Sequence, residues 1–422
     1  MRICSQSGTI TYTIYGWCRW RFKISDRLVT HSRIHVHMCK HEPADASPSD
    51  VKAPDQAVEK AVHPRAEYEN VATTSDKVKG IVFILSLFSA TLAMGYLVIV
   101  PTAVVVAFVC PKLAEYIYRV LLGHFCAYSS GVFEYLSGME VVITGEDGET
   151  FHFNDLDRVF LISNHRTEID WLLHWNFATK IHAHDRIMTM LKAGLRQIPI
   201  FGGVLQLFGF PFVERNWVED QAKLGALIES YHSRSYGTWM AMFPEGTALY
   251  DKTLQASHDF KAANGKPRCD FVLEPRLKGF DLCVDKFRPD YILDMTMAFP
   301  ELRRGVRPSP LRLLQGLFPK SVHFYVRKFT LDDVMAADSP SAWLQDRFAV
   351  KEEMLSAFYQ APDGRSFDKP EVPLPKSKRP FLMALALVVT SSCALPVVLW
   401  TVPYSVTYLA LVVAFMVWIS KR

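Results

Sequence analysis

Three apolar runs that flank a more polar body place the strongest constraint on the fold of this 422-residue chain. Residues 80–110 carry no charged side chain and are interrupted by Pro101, while residues 381–399 and 402–419 form an apolar region near the C-terminus. About 20 apolar residues suffice to cross a bilayer. The pattern therefore predicts an N-terminal membrane anchor, a C-terminal pair of transmembrane helices and a body between them.

The charges around the C-terminal pair indicate its orientation. The basic residues on its two flanks are Lys376, Lys378, Arg379, Lys421 and Arg422. Because positive charge is enriched on the cytosolic side of membrane proteins, we expect both flanks and the body, residues 111–379, to face the cytosol.

Two segments before the body each leave two interpretations open. Residues 80–110 fit either one tilted, kinked span or a hairpin that enters a single leaflet. Residues 111–138 mix apolar side chains with isolated charges, which favours either an amphipathic helix in the membrane interface or a helix packed on the body. We treat residues 79–138 together as the membrane-anchoring region.

Composition excludes some classes of function. Half of the residues are hydrophobic, 21% are charged, and the net charge is only +4, which does not argue for nucleic-acid binding. The eight cysteines form no CxxC pair, so free thiols in a reducing compartment are expected.

Residues 1–78 are predicted to form a disordered basic and polar leader, because no helical or strand period is sustained there. Its residues of types that bind metals are His31, His35, His37, Cys39 and His41. No second cluster completes a metal site, so we expect no bound metal. Acidic residues are absent before Asp26, which keeps a mitochondrial address open as an alternative to the endoplasmic reticulum.

The body alternates short apolar runs with helical patterns, which predicts an α/β catalytic domain over residues 139–330, a C-terminal region over 331–379 and the transmembrane pair over 380–420. The predicted strands are residues 140–144, 158–163, 238–243, 271–275, 291–299 and 321–329. The predicted helices include residues 168–179, 216–233 and 250–263. The polar motifs follow strand ends, where α/β folds gather their sites.

One polar motif combines a base with a carboxylate. His165 and Asp170 lie five residues apart just after an apolar strand. A histidine can accept a proton from a hydroxyl while a carboxylate fixes its tautomer. The alternative is structural, because Thr167 and Asp170 also have the spacing of a helix-capping box. That alternative leaves His165 without a role.

A second motif follows the strand predicted at 238–243. Glu245, Gly246 and Thr247 precede a helical pattern, where backbone amides attract anions and a glycine permits close approach. The alternative is an ordinary strand-to-helix turn. Three cations are candidate phosphate ligands, with surface ion pairs as the alternative: Lys192, Arg215 and Arg276.

Four blocks in one order resemble the 1-acylglycerol-3-phosphate acyltransferase family. They are residues 164–170, similar to its NHxxxxD motif, residues 198–217, residues 243–247, similar to FPEGT, and residues 272–280. Residues 292–299, 322–329 and 343–352 are similar to the branch that contains lysophosphatidate and lysocardiolipin acyltransferases. The resemblance covers residues 80–420 and implies a glycerolipid acyltransferase-like αβ domain.

By that resemblance His165 is the base and Asp170 its partner, Arg215 and the turn at Glu245 and Gly246 bind the phosphate region, and Pro275 shapes the acyl-donor site. The implied reaction transfers an acyl group from acyl-CoA, a co-substrate, to a lysophospholipid hydroxyl and requires no cofactor or metal. Partners are the two substrates and the bilayer.

The sequence leaves the acceptor open. Ala248 and Leu249 follow Thr247 where many relatives of that family carry a charged residue, and Gly203 stands where a tryptophan is frequent. Lysophosphatidate is the expected acceptor, with lysocardiolipin or lysophosphatidylinositol as an alternative. A catalytically inactive membrane-shaping or scaffold protein is a third hypothesis.

Overall fold

The computed structural model describes residues 11–14, 18–21, 59, 61–62, 71–99, 102, 106–148, 151–198, 201–214, 216–304, 306–361, 367–374 and 378–420. Three features singled out in the sequence lie outside these residues: Arg215, Pro101 and the histidines between 31 and 41.

Ten strands occur in the described part of the chain. They are β1 (Thr11–Ile14), β2 (Cys18–Arg21), β3 (Glu140–Thr144), β4 (Val159–Ser163), β5 (Ile187–Thr189), β6 (Leu191–Lys192), β7 (Phe212–Val213), β8 (Trp239–Met242), β9 (Tyr291–Ala298) and β10 (Ser321–Thr330). The hairpin of β1 and β2 lies in the segment predicted to be disordered.

The body is built on a six-stranded sheet with the order β3-β10-β9-β4-β8-β5. Strands β9, β4, β8 and β5 run parallel, whereas β10 is antiparallel to β9 and parallel to β3. The central strand β4 is buried along its whole length, as expected for a sheet covered on both faces. The parallel register brings the C-terminal ends of β4, β8 and β9 to one edge.

The described helices are α1 (Thr74–Met94), α2 (Ala107–Val109), α3 (Pro111–Ser137), α4 (Asp170–Lys180), α5 (Phe201–Phe208), α6 (Trp217–Ser230), α7 (Asp251–Ala263), α8 (Leu277–Phe287), α9 (Pro310–Leu314), α10 (Leu331–Met335), α11 (Pro340–Gln360), α12 (Arg379–Thr401) and α13 (Ser405–Ser420). The mixed α/β fold class is thereby confirmed.

One predicted strand is wrong. Residues 271–275 form an irregular segment rather than a strand. The N–H groups of Phe271 and Val272 donate to the Glu352 carboxylate, and that of Leu273 donates to Glu245. A segment whose donors are taken by side chains has no need of a neighbouring strand.

Helix α1 begins at Thr74, inside the segment assigned to the leader, because Thr73 and Asp76 form a capping box. Helices α1 and α12 are both long and apolar enough to cross a membrane, and α13 is a shorter apolar helix. The Ser89 and Ser392 hydroxyls of α1 and α12 are 3.1 Å apart. The C-terminal helix pair is therefore present as predicted, with its turn at residues 402–404.

Helix α3 packs on the body instead of lying apart from it. Its buried face includes Leu122, Phe125 and Phe133, and the Phe125 ring lies edge-on to Trp175 of α4 at 5.7 Å. Of the two interpretations of residues 111–138, the structure supports packing on the core.

Candidate active site

The end of β4 is tied to β9 through Asn164. The buried Asn164 amide donates to the Met297 carbonyl at 3.0 Å and accepts from the Met297 N–H at 2.7 Å. These two bonds fix the backbone immediately before His165. The motif in the sequence includes Asn164 but predicts no role for it, since its anchoring partner lies 133 residues away.

His165 and Asp170 meet at this edge of the sheet. The Nδ1 atom of His165 lies 3.0 Å from Oδ2 of Asp170, whose side chain is fully buried, while the His165 side chain keeps 17% of its exposure. When Nδ1 donates to the carboxylate, the neutral ring carries its lone pair on Nε2. Nε2 takes no part in the contact with Asp170 that orients the ring.

The Asp170 carboxylate receives further donors from the same loop. Oδ2 accepts from the backbone N–H groups of Arg166 at 2.7 Å and Thr167 at 2.8 Å, and the Thr167 hydroxyl donates to Oδ1 at 2.6 Å. Asp170 is the first residue of α4, and the N-cap residue Ile169 makes no side-chain cap. The simple capping box therefore does not describe this carboxylate, which organises the loop and contacts the imidazole.

The aromatic ring of Phe243 separates two histidines. It stacks on His165 with 4.2 Å between ring centroids and on His174 with 4.5 Å. His174 is buried, and burial lowers its pKa to about 3, so it stays neutral. Its Nε2 atom lies 2.8 Å from the Ser163 hydroxyl. His174 therefore supports the stack, and His165 is the partly exposed member.

Glu245 occupies a different place from the one expected. It is only 2% exposed, its Oε1 accepts from the His165 N–H at 2.7 Å, and its Oε2 accepts from the Leu273 N–H at 2.9 Å. Burial raises the pKa of Glu245 to about 8. Expected as a head-group ligand, Glu245 instead joins the His165 loop to the 270–276 segment, because both carboxylate oxygens serve the backbone.

The rest of the second motif forms a turn near the surface. Gly246 is exposed with φ of +69°, which favours glycine, and Thr247 is half-buried. The Arg276 N–H donates to the Pro244 carbonyl at 2.7 Å, and a side chain at Gly246 would meet the Arg276 side chain at 3.4 Å. Arg276 therefore lies beside the turn, as a phosphate ligand would.

The remaining candidates are less closely joined to His165. Pro275 is buried within the 270–276 segment. Lys192 is exposed on β6 and paired in register with Val213 of β7. Among the described residues we find no direct contact between Lys192 and the His165 loop.

Two charged side chains of α11 contact the segments around the site. The Glu352 carboxylate accepts the N–H groups of Asp270, Phe271 and Val272. The buried Lys351 pairs with Asp294 of β9 and donates to the Met295 carbonyl at 2.5 Å. The sequence marks both positions in α11 as points of family similarity but does not predict these contacts.

Within the described residues, no group of three or more His, Cys, Asp or Glu side chains is arranged to hold a metal ion. The chemistry that the site offers is proton transfer at His165, beside exposed Arg276 and the turn at Gly246.

The Acyltransferase family model matches residues 147–266, and the Acyltransferase C-terminus model matches residues 312–388. Lysocardiolipin acyltransferase 1 of Danio rerio is 34% identical over 57% of this chain and 61% of its own length. Probable 1-acyl-sn-glycerol-3-phosphate acyltransferase 5 of Arabidopsis thaliana is 31% identical over 67% of this chain and 74% of its own length. The 1-acyl-sn-glycerophosphate acyltransferase PlsC from Thermotoga maritima gives a TM-score of 0.39 at 15% identity, covering 67% of this chain and 98% of that chain.

Replacement of Glu245 by glutamine should change how stability depends on pH. Because the folded-state pKa of Glu245 is raised, this group favours the folded state most below its ordinary pKa of 4.5, and that contribution declines as pH rises toward 8. The melting temperature of wild type minus that of Glu245→Gln should therefore decrease from pH 5 to pH 8. Thermal unfolding of the full chain in detergent measures this difference.

Glu353→Gln is the matched control, because Glu353 is an exposed carboxylate on the same helix as Glu352. The melting temperature of wild type minus that of Glu353→Gln should stay constant from pH 5 to pH 8. The prediction would be contradicted if the melting temperature of wild type minus that of Glu245→Gln increased with pH. The two N–H donors would then lower the pKa of Glu245 by more than burial raises it.

Proposed function

The chain belongs to the 1-acylglycerol-3-phosphate acyltransferase family, and on that premise we propose that it transfers a fatty acyl group from acyl-CoA to 1-acylglycerol-3-phosphate. The product is phosphatidate. The observation that carries the proposal is the contact of the His165 Nδ1 atom with the buried Asp170 carboxylate, which leaves Nε2 available as a base.

In the proposed reaction the free glycerol hydroxyl gives its proton to Nε2 of His165 while its oxygen bonds to the thioester carbonyl carbon. The carbon–sulfur bond then breaks, and the departing CoA sulfur takes the proton back from the imidazolium. Asp170 keeps its hydrogen bond to Nδ1 throughout and stabilises the transient imidazolium charge. No acyl-enzyme is formed, and atoms and charge balance without a cofactor.

Binding of the two substrates is assigned to different segments. Arg276 beside Gly246 is placed to take the acceptor phosphate, with Arg215 and Lys192 as further candidate cations and Thr247 in the same turn. The 270–276 segment, which contains Pro275, is fixed by Glu245 and Glu352. We assign it to the acyl-donor site.

An alternative acceptor is favoured by one observation. The Danio rerio relative is named for lysocardiolipin and a Caenorhabditis elegans relative for lysophosphatidylinositol, so remodelling of either lipid is the second candidate function. The same dyad would serve each acceptor, because all of them present a glycerol hydroxyl near a phosphate. A scaffold without catalysis is the third, and the intact contact of His165 with Asp170 argues against it.

We also propose that the body lies on the cytosolic face of the endoplasmic reticulum, with a mitochondrial membrane as the alternative. Both ends of the first apolar region lie against the body. A side chain at Gly80 would collide with the Leu314 carbonyl, and α3, which begins at Pro111, packs on α4. This arrangement supports a segment that enters one leaflet and returns.

Removal of either member of the dyad should lower acyl transfer. His165→Ala and Asp170→Asn should each reduce kcat by about a hundredfold or more, since a general base contributes that much. Initial rates with labelled acyl-CoA and the full chain in detergent measure the effect. The exposed neighbour Glu168 is the control, and Glu168→Gln should retain the wild-type rate within about threefold. Undiminished transfer by a folded His165→Ala variant would remove the mechanism.

A panel of acceptors should distinguish the candidate functions. We expect the wild-type chain to show its highest kcat/KM with 1-acylglycerol-3-phosphate among lysophosphatidate, lysocardiolipin and lysophosphatidylinositol, all offered with one acyl-CoA. A chain that prefers either of the other two lipids belongs to the second candidate function, and one inactive on all three would favour the scaffold.

Inserted glycosylation sites should report the topology. The chain contains no Asn-x-Ser/Thr sequon of its own, so sequons added at residue 60 and after residue 422 would be read without background. Neither should be modified in microsomes. A sequon in an extended loop inserted at residues 402–404 should be modified, because this turn is expected on the lumenal side. Modification at residue 60 would mean that the first apolar region crosses the membrane.

A further inference from the structure

A third loop at the site edge contributes a guanidinium that no sequence motif predicts. Arg307 follows β9, and its guanidinium carbon lies 3.9 Å from the ring centroid of Tyr250. One terminal nitrogen donates to the Leu249 carbonyl, and the other donates to the Arg166 carbonyl at 2.6 Å. Since Leu249 in turn donates its N–H to the His165 carbonyl at 2.9 Å, Arg307 lies next to the catalytic loop.

The charge of Arg307 is not matched by a contacting carboxylate. Among the described residues, its hydrogen bonds go to carbonyl oxygens, and its buried Nε has no hydrogen-bond partner. The neighbouring Arg166 likewise donates to the carbonyls of Phe271 and Ala61. Two adjacent guanidinium groups whose hydrogen bonds go to carbonyls therefore place positive charge beside His165 without a carboxylate in direct contact.

The protonated state of Arg307 is disfavoured in this position. Burial, followed by the charge of Arg166, lowers the pKa of Arg307 to about 10, while Glu168, Asp170 and Asp251 oppose the shift from a distance. A bound anion would offset both effects, because its negative charge stabilises the buried guanidinium and balances the charge of Arg166. Phosphate suits a guanidinium particularly well, because its oxygens accept parallel N–H bonds.

Arg307 lies beside a turn, residues 246–250, that contains no cation of its own. The residues that follow Thr247 are Ala248, Leu249 and Tyr250, none of which is a cation. Arg307 reaches the turn at Leu249 and Tyr250, while Arg276 lies against its other part at Gly246. The turn is therefore supplied with positive charge from two separate segments.

We propose that Arg307, held over Tyr250, binds the phosphate of the lysophospholipid acceptor and selects for acceptors that carry one. The inference rests on the proposed acyltransferase function and names a specificity residue for it. It assigns one part of the site to each parallel strand end: β4 leads to His165, β8 leads to the turn, and β9 leads to Arg307.

The test measures binding, so that it does not depend on turnover. The full chain carrying His165→Ala in neutral detergent is titrated with 1-oleoylglycerol 3-phosphate and, separately, with uncharged 1-oleoylglycerol. Arg307→Met should weaken binding of the phosphate lipid about 10- to 100-fold and leave the neutral lipid unchanged. Arg307→Lys should lie between, because it keeps the charge and loses the planar fork.

Arg288→Met is the matched control, since this exposed arginine precedes β9 at the opposite edge of the sheet and should change neither affinity. Equal weakening of both lipids by Arg307→Met would make Arg307 a structural clamp of the two carbonyls and overturn the inference. An unchanged preference for the phosphate lipid would also overturn it. A His165-containing chain that acylates no lysophospholipid would instead overturn the proposed function itself.

Discussion

The loops that leave the sheet edge are irregular, and their backbone groups must find partners outside any strand or helix. Buried carboxylates satisfy this requirement. Asp170 accepts the N–H groups of residues 166 and 167, Glu245 accepts those of residues 165 and 273, and Glu352 accepts those of residues 270–272. A buried unpaired N–H would cost about 1–3 kcal/mol. The placement of His165 therefore depends on these carboxylates as directly as on β4.

This arrangement explains why regions distant in sequence belong to one site. Helix α11 contributes Glu352 to the 270–276 segment, and its buried Lys351 pairs with Asp294 on β9. Removing one partner of such a pair leaves a buried charge uncompensated, which is far more costly than losing a surface pair. The C-terminal region thus holds the loops in register with the sheet, and helix α12 packs on α3, which in turn packs on α4.

Much of the sheet follows from apolar runs, and the exceptions have physical causes. The run at 291–299 becomes β9, which is buried at every position after its first, and the run at 140–144 becomes the edge strand β3, whose backbone pairs with β10. Residues 271–275 are similarly apolar, yet the N–H groups of residues 271–273 donate to carboxylates 28 to 81 residues away, which a local pattern cannot reveal. Likewise, helix α3 resembles an interfacial helix until its contact with α4 is known.

Some contacts of the site can be predicted from the sequence, and others cannot. The contact between His165 and Asp170 is predictable from the sequence because the two residues lie five positions apart just after a strand, whereas the direction of the Glu245 carboxylate depends on the segment that Leu273 brings to it. Arg307 cannot be recognised from the sequence, because its partners are backbone carbonyls, which give no signal in residue types.

The groups around His165 and the cations that would meet a head group differ in their burial. Groups that orient the base are buried and bonded to backbone, so most substitutions there would disturb the loops as well as the reaction. The cations that would meet a head group project from the surrounding segments, with Arg276 exposed and Arg307 half-buried. The Arg276 side chain can change without loss of the buried hydrogen bonds, whereas a change at Arg307 removes its two bonds to the Leu249 and Arg166 carbonyls. Under the proposed function, the same contact of His165 with Asp170 would serve different phosphate-bearing acceptors, and we expect the segments after β8 and β9 to decide how an acceptor is recognised.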